Sequence, residues 1–224
     1  RINPLASEWG TEDLLAACAC RPDAILISKV NTPRDIQDVD EALDDADADL
    51  KIWAMIETPK AILNLGPIAE LARDHGARLA CFVAGTNDLA KEIGLKPTPD
   101  RRYLSPYLAR IVVAARAGGI DVLDGPCNDF RDLPAFAAEC AEASNIGFDG
   151  KTLIHPDQIE PANVAFAPEP AALAEAEKVR AAFALPENSG KGVISLDGRM
   201  VERLHLVQSE RLLARAAAIQ GKSR

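Results

Sequence analysis

KIWAMIETPKAI, residues 51–62, governs how the rest of the chain is read. Residues 51–56 form a mostly apolar run without strict alternation, the pattern of a strand buried on both faces. Glu57 ends the run. Thr58 and Pro59 follow, a helix cap and then a proline at the first helical position, where its missing N–H costs nothing. A strand therefore passes directly into a helix, with a carboxylate at the junction.

The same unit recurs in both directions. Strand-like runs are RIN (1–3), AILISKV (24–30), KIWAMIE (51–57), ARLACFVAG (77–85), GIDVLDGP (119–126) and NIGFDGKTLIHP (145–156). Helix-like stretches lie between them. TEDLLAACAC (11–20) opens on a threonine cap and acidic residues, and TPRDIQDVDEALDDA (32–46) and TPKAILNLGPIAELARDHG (58–76) both open Thr-Pro. SPYLARIVVAARAGG (105–119) and DLPAFAAECAEAS (132–144) complete the set. Such alternation predicts an α/β fold with a parallel sheet. A closed (β/α)8 TIM barrel needs eight strands, and six runs predict a barrel lacking its first two β/α units. RIN would then be an edge strand, with Ile2 and Ile25 short of neighbours. An open six-stranded sheet is the alternative.

The barrel core is expected over 1–168 and a C-terminal helical and lid segment over 169–224. In that segment PAALAEAEKVRAAFAL (170–185) reads as a helix, SLDGRM (195–200) as a hairpin turning at Asp-Gly, and VERLHLVQSERLLARAAAI (201–219) as a last helix. Its apolar face, with Leu204, Leu206, Leu212 and Leu213, needs a partner, so the tail is expected to cross to another subunit of a homo-oligomer. The expected assembly is a trimer or hexamer.

The chain has 224 residues, 48% of them hydrophobic, and a net charge of -9. An acidic average argues against general nucleic-acid binding. No apolar stretch is long enough to span a bilayer, and RINPLASEWG lacks the apolar segment of a signal peptide. Cys18, Cys20, Cys81, Cys127 and Cys140 are odd in number and irregularly spaced, which reads as reduced structural thiols in the cytoplasm.

Glu57 and Asp88 are the informative acids. Asp88 sits in AGTNDLAKEIG, just past the run at 77–85. The spacing, 88 − 57 = 31, suits one β/α unit, so both carboxylates would face one rim of the sheet. Two convergent carboxylates suit Mg²⁺, which takes oxygen ligands and leaves positions open for substrate and water. Each could instead serve a helix N-terminus, Glu57 for the helix at Pro59 and Asp88 for its own.

Several strings together resemble the citrate lyase β-subunit-like acyl-CoA lyases, the malyl-, citramalyl- and citryl-CoA lyase group of the Mg²⁺-dependent aldolase superfamily. They are RIN (1–3), ISKVNTPRDI (27–36), MIETPKAI (55–62), AGTNDLAKEIG (84–94), IDVLDGP (120–126), FDGKTLIHPDQI (148–159) and DGRMVE (197–202). The resemblance implies a barrel that cleaves a 3-hydroxyacyl-CoA into a 2-oxo acid and an acyl-CoA with Mg²⁺. It makes Glu57 and Asp88 the metal ligands and Arg1 the contact to the oxo acid. Glu202 stands where the family places a catalytic Asp delivered from a neighbouring subunit, with Asp197 a second candidate. A Mg²⁺ aldolase of free hydroxy-oxo acids and a non-catalytic barrel subunit are the alternatives.

Lys29 could meet CoA phosphate or lie along the surface. Asp124 ends a strand on the same rim and could support the site or line the acyl-CoA channel. His155 in IHP reads as a structural histidine bonding backbone, and His75 as a helix-end residue without a function. His205 could share a helix face with Glu202. Trp9 and Trp53 read as packing residues.

Overall fold

A computed structural model describes residues 1–43, 49–74 and 76–222. His75 lies outside these residues, as does the end of the helix expected over 32–46. The chain divides into two compact units, Arg1–Phe166 and Ala167–Arg224.

In the first unit, a parallel sheet is built from β1 (Ala24–Ile27), β2 (Lys51–Ile56), β3 (Leu79–Ala84), β4 (Asp121–Asp124) and β5 (Gly150–Lys151), paired in that order. Ile52, Ala54, Ile56, Phe82 and Val122 are almost wholly buried at its centre. Among the described residues the sheet has five strands where six were expected. RIN contributes a single parallel bridge, Ile2 to Ile27. Asn3 turns away to Asp13, which accepts from its backbone N–H at 3.0 Å and its side-chain amide at 2.8 Å. The last expected strand shrinks to two residues: helix α7 (Leu133–Ile146) takes up its first positions, and a 3-10 turn at Pro156–Gln158 takes up its last. The expected apolar gap is also corrected. Ile2 and Ile25 are 5% and 2% exposed, in one cluster with Leu14 of helix α1 (Gly10–Ala19).

Helices follow the strands. Thr32 caps α2 (Pro33–Ala42), and Asp35 accepts from the backbone N–H groups of Asn31 and Thr32 at 2.8 Å each. The long helix expected over 58–76 is broken into α3 (Pro59–Leu63), α4 (Leu65–Glu70) and a 3-10 turn, Leu71–Arg73. Pro67 has no N–H to give to Leu63, and the Asn64 side chain donates to the Asn31 carbonyl at 2.8 Å. Helix α1 starts at Gly10, ahead of the expected cap at Thr11, and Trp9 is exposed rather than packed. Helices α5 (Thr86–Ile93), α6 (Ser105–Gly118) and α8 (Ile159–Phe166) complete this unit.

The second unit holds α9 (Pro170–Ala184), the hairpin β6 (Val193–Leu196) with β7 (Arg199–Glu202), and α10 (Arg203–Lys222). The hairpin turns at Asp197 and Gly198, both left-handed, at φ 51° and 76°. Helix α10 packs on α9, and Leu206 joins Val179, Ile194 and Val201 in a small core. Part of the apolar face thus finds a partner in its own chain, while Leu204 stays 61% exposed. No helix among the described residues is long and apolar enough to cross a membrane.

Thr58 makes two bonds at the β2–α3 junction. Its hydroxyl accepts from the Ala61 N–H at 3.0 Å and donates to Asn31 at 2.5 Å. Thr58→Ala is expected to cost about 1–2 kcal/mol in urea denaturation. An unchanged midpoint would show that the junction does not depend on them.

Candidate functional site

Parallel pairing places the C-terminal ends of β1 to β5 on one rim. Lys29 follows β1, Glu57 follows β2, Asp88 follows β3 by one turn, Asp124 ends β4 and Lys151 ends β5. Arg1 precedes the bridge made by Ile2 at the end of β1.

Glu57 is 5% exposed. It does not cap α3, because Thr58 does so. Its Oε1 accepts the backbone N–H of Lys29 at 2.8 Å. Lys29 presents that N–H from a left-handed conformation, φ 53°, unusual for a residue with a side chain. Burial pushes the Glu57 carboxyl above its usual range. The Lys29 N–H opposes this, Asp88 adds to it, and the charges of Lys29 and Arg1 oppose it again. Glu57 therefore lies in the fields of Asp88, Lys29 and Arg1.

Asp88 sits in the first turn of α5, where an acid is favourable, but Gly85 occupies the cap position and offers no side chain. A Cβ on Gly85 would lie 2.3 Å from the Glu57 Cβ and 2.7 Å from its Oε2. The helix start is left uncapped so that Glu57 can fit beside it. The Lys29 ammonium lies 3.4 Å from Asp88 and 3.6 Å from Glu92. Although burial alone would lower its pKa, Asp88 raises it.

Two carboxylates, one buried and each within the field of the other, fit a divalent cation as donors. Mg²⁺ is commonly held by one or two carboxylates with waters and substrate oxygens filling the remaining positions. Among the described residues, no group of three or more His, Cys, Asp and Glu side chains is arranged to hold a metal. Glu57 and Asp88 are the two side chains that would hold it.

Behind this rim lies a charge cluster that the sequence did not reveal. Asp124 is fully buried and lines no channel. Its Oδ2 accepts from Arg101 at 2.8 Å and Lys151 at 2.7 Å, and its Oδ1 from the Gly125 N–H at 2.8 Å. The Lys151 ammonium also donates to the Gly125 carbonyl and to Glu139, both at 2.5 Å. Glu142 accepts from Arg101 Nε at 2.9 Å. Burial works against the Arg101 charge, but Asp124 and Glu139 more than offset it. Lys151 stood inside the expected strand run 145–156 and Arg101 in a polar loop, and neither carried a signal in the sequence. A cavity of about 210 Å³ opens between this cluster and α5, lined by Thr86, Asn87, Leu95, Arg101, Pro126 and Asn128 among others.

His155 Nδ1 accepts from the Asp157 N–H at 3.2 Å, and its ring stacks on Phe130, a structural role. Glu202 ends β7 rather than lying on a helix, and its backbone N–H donates to His205 at 2.9 Å. Glu202 and Asp197 belong to the second unit. The five cysteines are free, and burial pushes Cys81 up to about 12 and Cys140 to about 11.

The model for HpcH/HpaI aldolase/citrate lyase proteins matches residues 1–156. The chain belongs to the HpcH/HpaI aldolase/citrate lyase family. It is 44% identical over 219 residues to a (3S)-malyl-CoA thioesterase of Cereibacter sphaeroides, covering 98% of this chain and 74% of that protein. It is 30% identical to the citrate lyase subunit beta of Haemophilus influenzae, over 96% of this chain and 75% of that one. Among solved structures, CitE of Mycobacterium tuberculosis in complex with magnesium, acetoacetate and coenzyme A shares its fold. The TM-score is 0.71 at 25% identity, over 97% of this chain and 77% of that one.

Removing Lys151 would leave the fully buried Asp124 with one cation instead of two. Lys151→Met is expected to cost about 3 kcal/mol in chemical denaturation. A loss indistinguishable from zero would show that the Lys151 ammonium contributes nothing net to the fold.

Proposed function

We propose that this protein is a Mg²⁺-dependent carbon–carbon lyase acting on a 3-hydroxyacyl-CoA of the malyl type. The carrying observation is the buried Glu57 carboxylate, fixed by the Lys29 N–H and lying in the field of Asp88. Family membership and the relatives that act on malyl-CoA and citrate support the substrate class.

Glu57 and Asp88 would hold the metal. When bound, Mg²⁺ supplies a Lewis acid that polarises the substrate's C–O unit and stabilises alkoxide character. Glu57 keeps its orientation because Lys29 engages one oxygen and Gly85 leaves room for the other. Arg1 would hold the carboxylate of the emerging 2-oxo acid, as a guanidinium does well. In cleavage the C3 hydroxyl loses its proton, and the C2–C3 electron pair passes to the carbon α to the thioester. That carbon is then protonated, giving a 2-oxo acid and an acyl-CoA. Glu202, in a neighbouring subunit of a homo-oligomer, is the acid/base assigned by family resemblance. Lys29, with its ammonium on the same rim, is the candidate contact to CoA phosphate.

A second reading is favoured by the 44% identity to a malyl-CoA thioesterase. There, water would attack the thioester carbonyl, giving a free carboxylic acid and free CoA thiol. The products separate the two readings. With malyl-CoA and Mg²⁺, the lyase releases glyoxylate and acetyl-CoA without a free thiol, and the hydrolase releases malate and a thiol that reacts with a disulfide reagent. Thiol release matching substrate consumption, with no glyoxylate, would overturn the lyase reading.

Calorimetry with Mg²⁺ alone tests the metal site. Glu57→Gln and Asp88→Asn are each expected to abolish measurable heat, and turnover is expected to fall by about 10²–10³ or more. Binding retained in both would remove the metal assignment. Mixing Glu57→Gln with Glu202→Gln under subunit exchange is expected to restore part of the activity. No recovery despite proven exchange would withdraw Glu202 from a shared site.

A further inference from the structure

Asn87 and Asn128 stand 41 positions apart and form a reciprocal amide pair. Asn87 Nδ2 donates to Asn128 Oδ1 at 3.0 Å, and Asn128 Nδ2 donates back to Asn87 Oδ1 at 2.8 Å. Both residues are exposed, so the pair contributes little to the core. It joins two pieces of chain with different anchors. Asn87 lies in the first turn of α5, immediately before Asp88, and the cap residue Gly85 provides no side-chain bond to hold that turn. Asn128 lies on the loop after β4, which is fixed at its root. Lys151 donates to the Gly125 carbonyl, and Asp124 accepts from the Gly125 N–H. Gly125 also presses on Thr86, where a Cβ would meet the Thr86 hydroxyl at 2.3 Å. An uncapped turn is thus tied sideways to a loop held by a buried charge cluster.

We propose that Asn128 is a positioning residue for Asp88, acting through Asn87. The pair fixes the first turn of α5 and so keeps the Asp88 carboxylate in register with Glu57. One wall of the cavity beside it is set by the same contact. The inference rests on the reading of Glu57 and Asp88 as the metal site. Neither asparagine is a ligand in it. Residues that orient metal ligands commonly change affinity by 10–100-fold when removed.

The test is Mg²⁺ titration by calorimetry on the full chain, without substrate, together with hydrogen exchange of the α5 amides in the metal-free protein. Asn128→Ala is expected to weaken Mg²⁺ binding about tenfold while leaving the thermal midpoint unchanged, and to speed exchange in the first turns of α5. Asn87→Ala should do the same, and the double variant should lose no more than either single one. Unchanged affinity and exchange in Asn128→Ala would overturn the proposal, as would fully additive losses. If the wild-type protein itself takes up no Mg²⁺, the metal reading fails. The exchange rates then decide the pair by themselves: faster exchange in both single variants supports it, and unchanged exchange overturns it.

Discussion

Parallel pairing of β1 to β5 is the constraint on which everything else depends. Because every strand runs the same way, every strand-to-helix junction falls on one edge. Residues separated by dozens of positions meet there without any side-chain contact having to bring them together. Lys29, Glu57 and Asp88 belong to three successive units, yet one backbone N–H and one ammonium join them. Antiparallel pairing at any step would have sent one of these junctions to the opposite edge.

That edge has two electrical characters. Around Glu57 the charges are incompletely balanced: its carboxyl is pushed up by burial and by Asp88, and Lys29 and Arg1 oppose this only in part. Around Asp124 the charges are closely paired, with two cations against three acidic side chains and backbone groups taking part. The first arrangement suits a place where a ligand completes the set. The second suits a support, since a buried pair is costly to break but contributes little net stability over an apolar core. Its value here is geometric, because it fixes where the loop after β4 leaves the sheet.

Close backbone approach explains why this edge contains so little spare side chain. Gly85 gives up a helix cap so that Glu57 can stand beside α5, and Thr58 performs the capping that Glu57 does not. Lys29 holds a left-handed conformation that directs its N–H at the Glu57 carboxylate. Local preferences are set aside at Gly85 and Lys29. Such departures are expected where a site, rather than the element itself, fixes the backbone.

Sequence alone determined the alternation of strands and helices, the Thr-Pro helix starts and the hairpin at Asp197–Gly198, because each is a local preference written in adjacent residues. It also brought Glu57 and Asp88 to one rim, since their spacing needed only the rule that successive parallel units face the same way. Tertiary structure alone decided that RIN makes one bridge and that β5 is two residues long, and the break at Asn64 joins a local cause, Pro67, to a distant one, the Asn31 carbonyl. In each case the outcome turned on where a neighbouring element ended or which carbonyl a distant amide could reach. The ties of Arg101 and Lys151 to Asp124, and of Asn87 to Asn128, were invisible for the same reason. Their partners lie 23 to 41 residues away, and no local pattern marks a polar side chain that will be satisfied only after the sheet has formed.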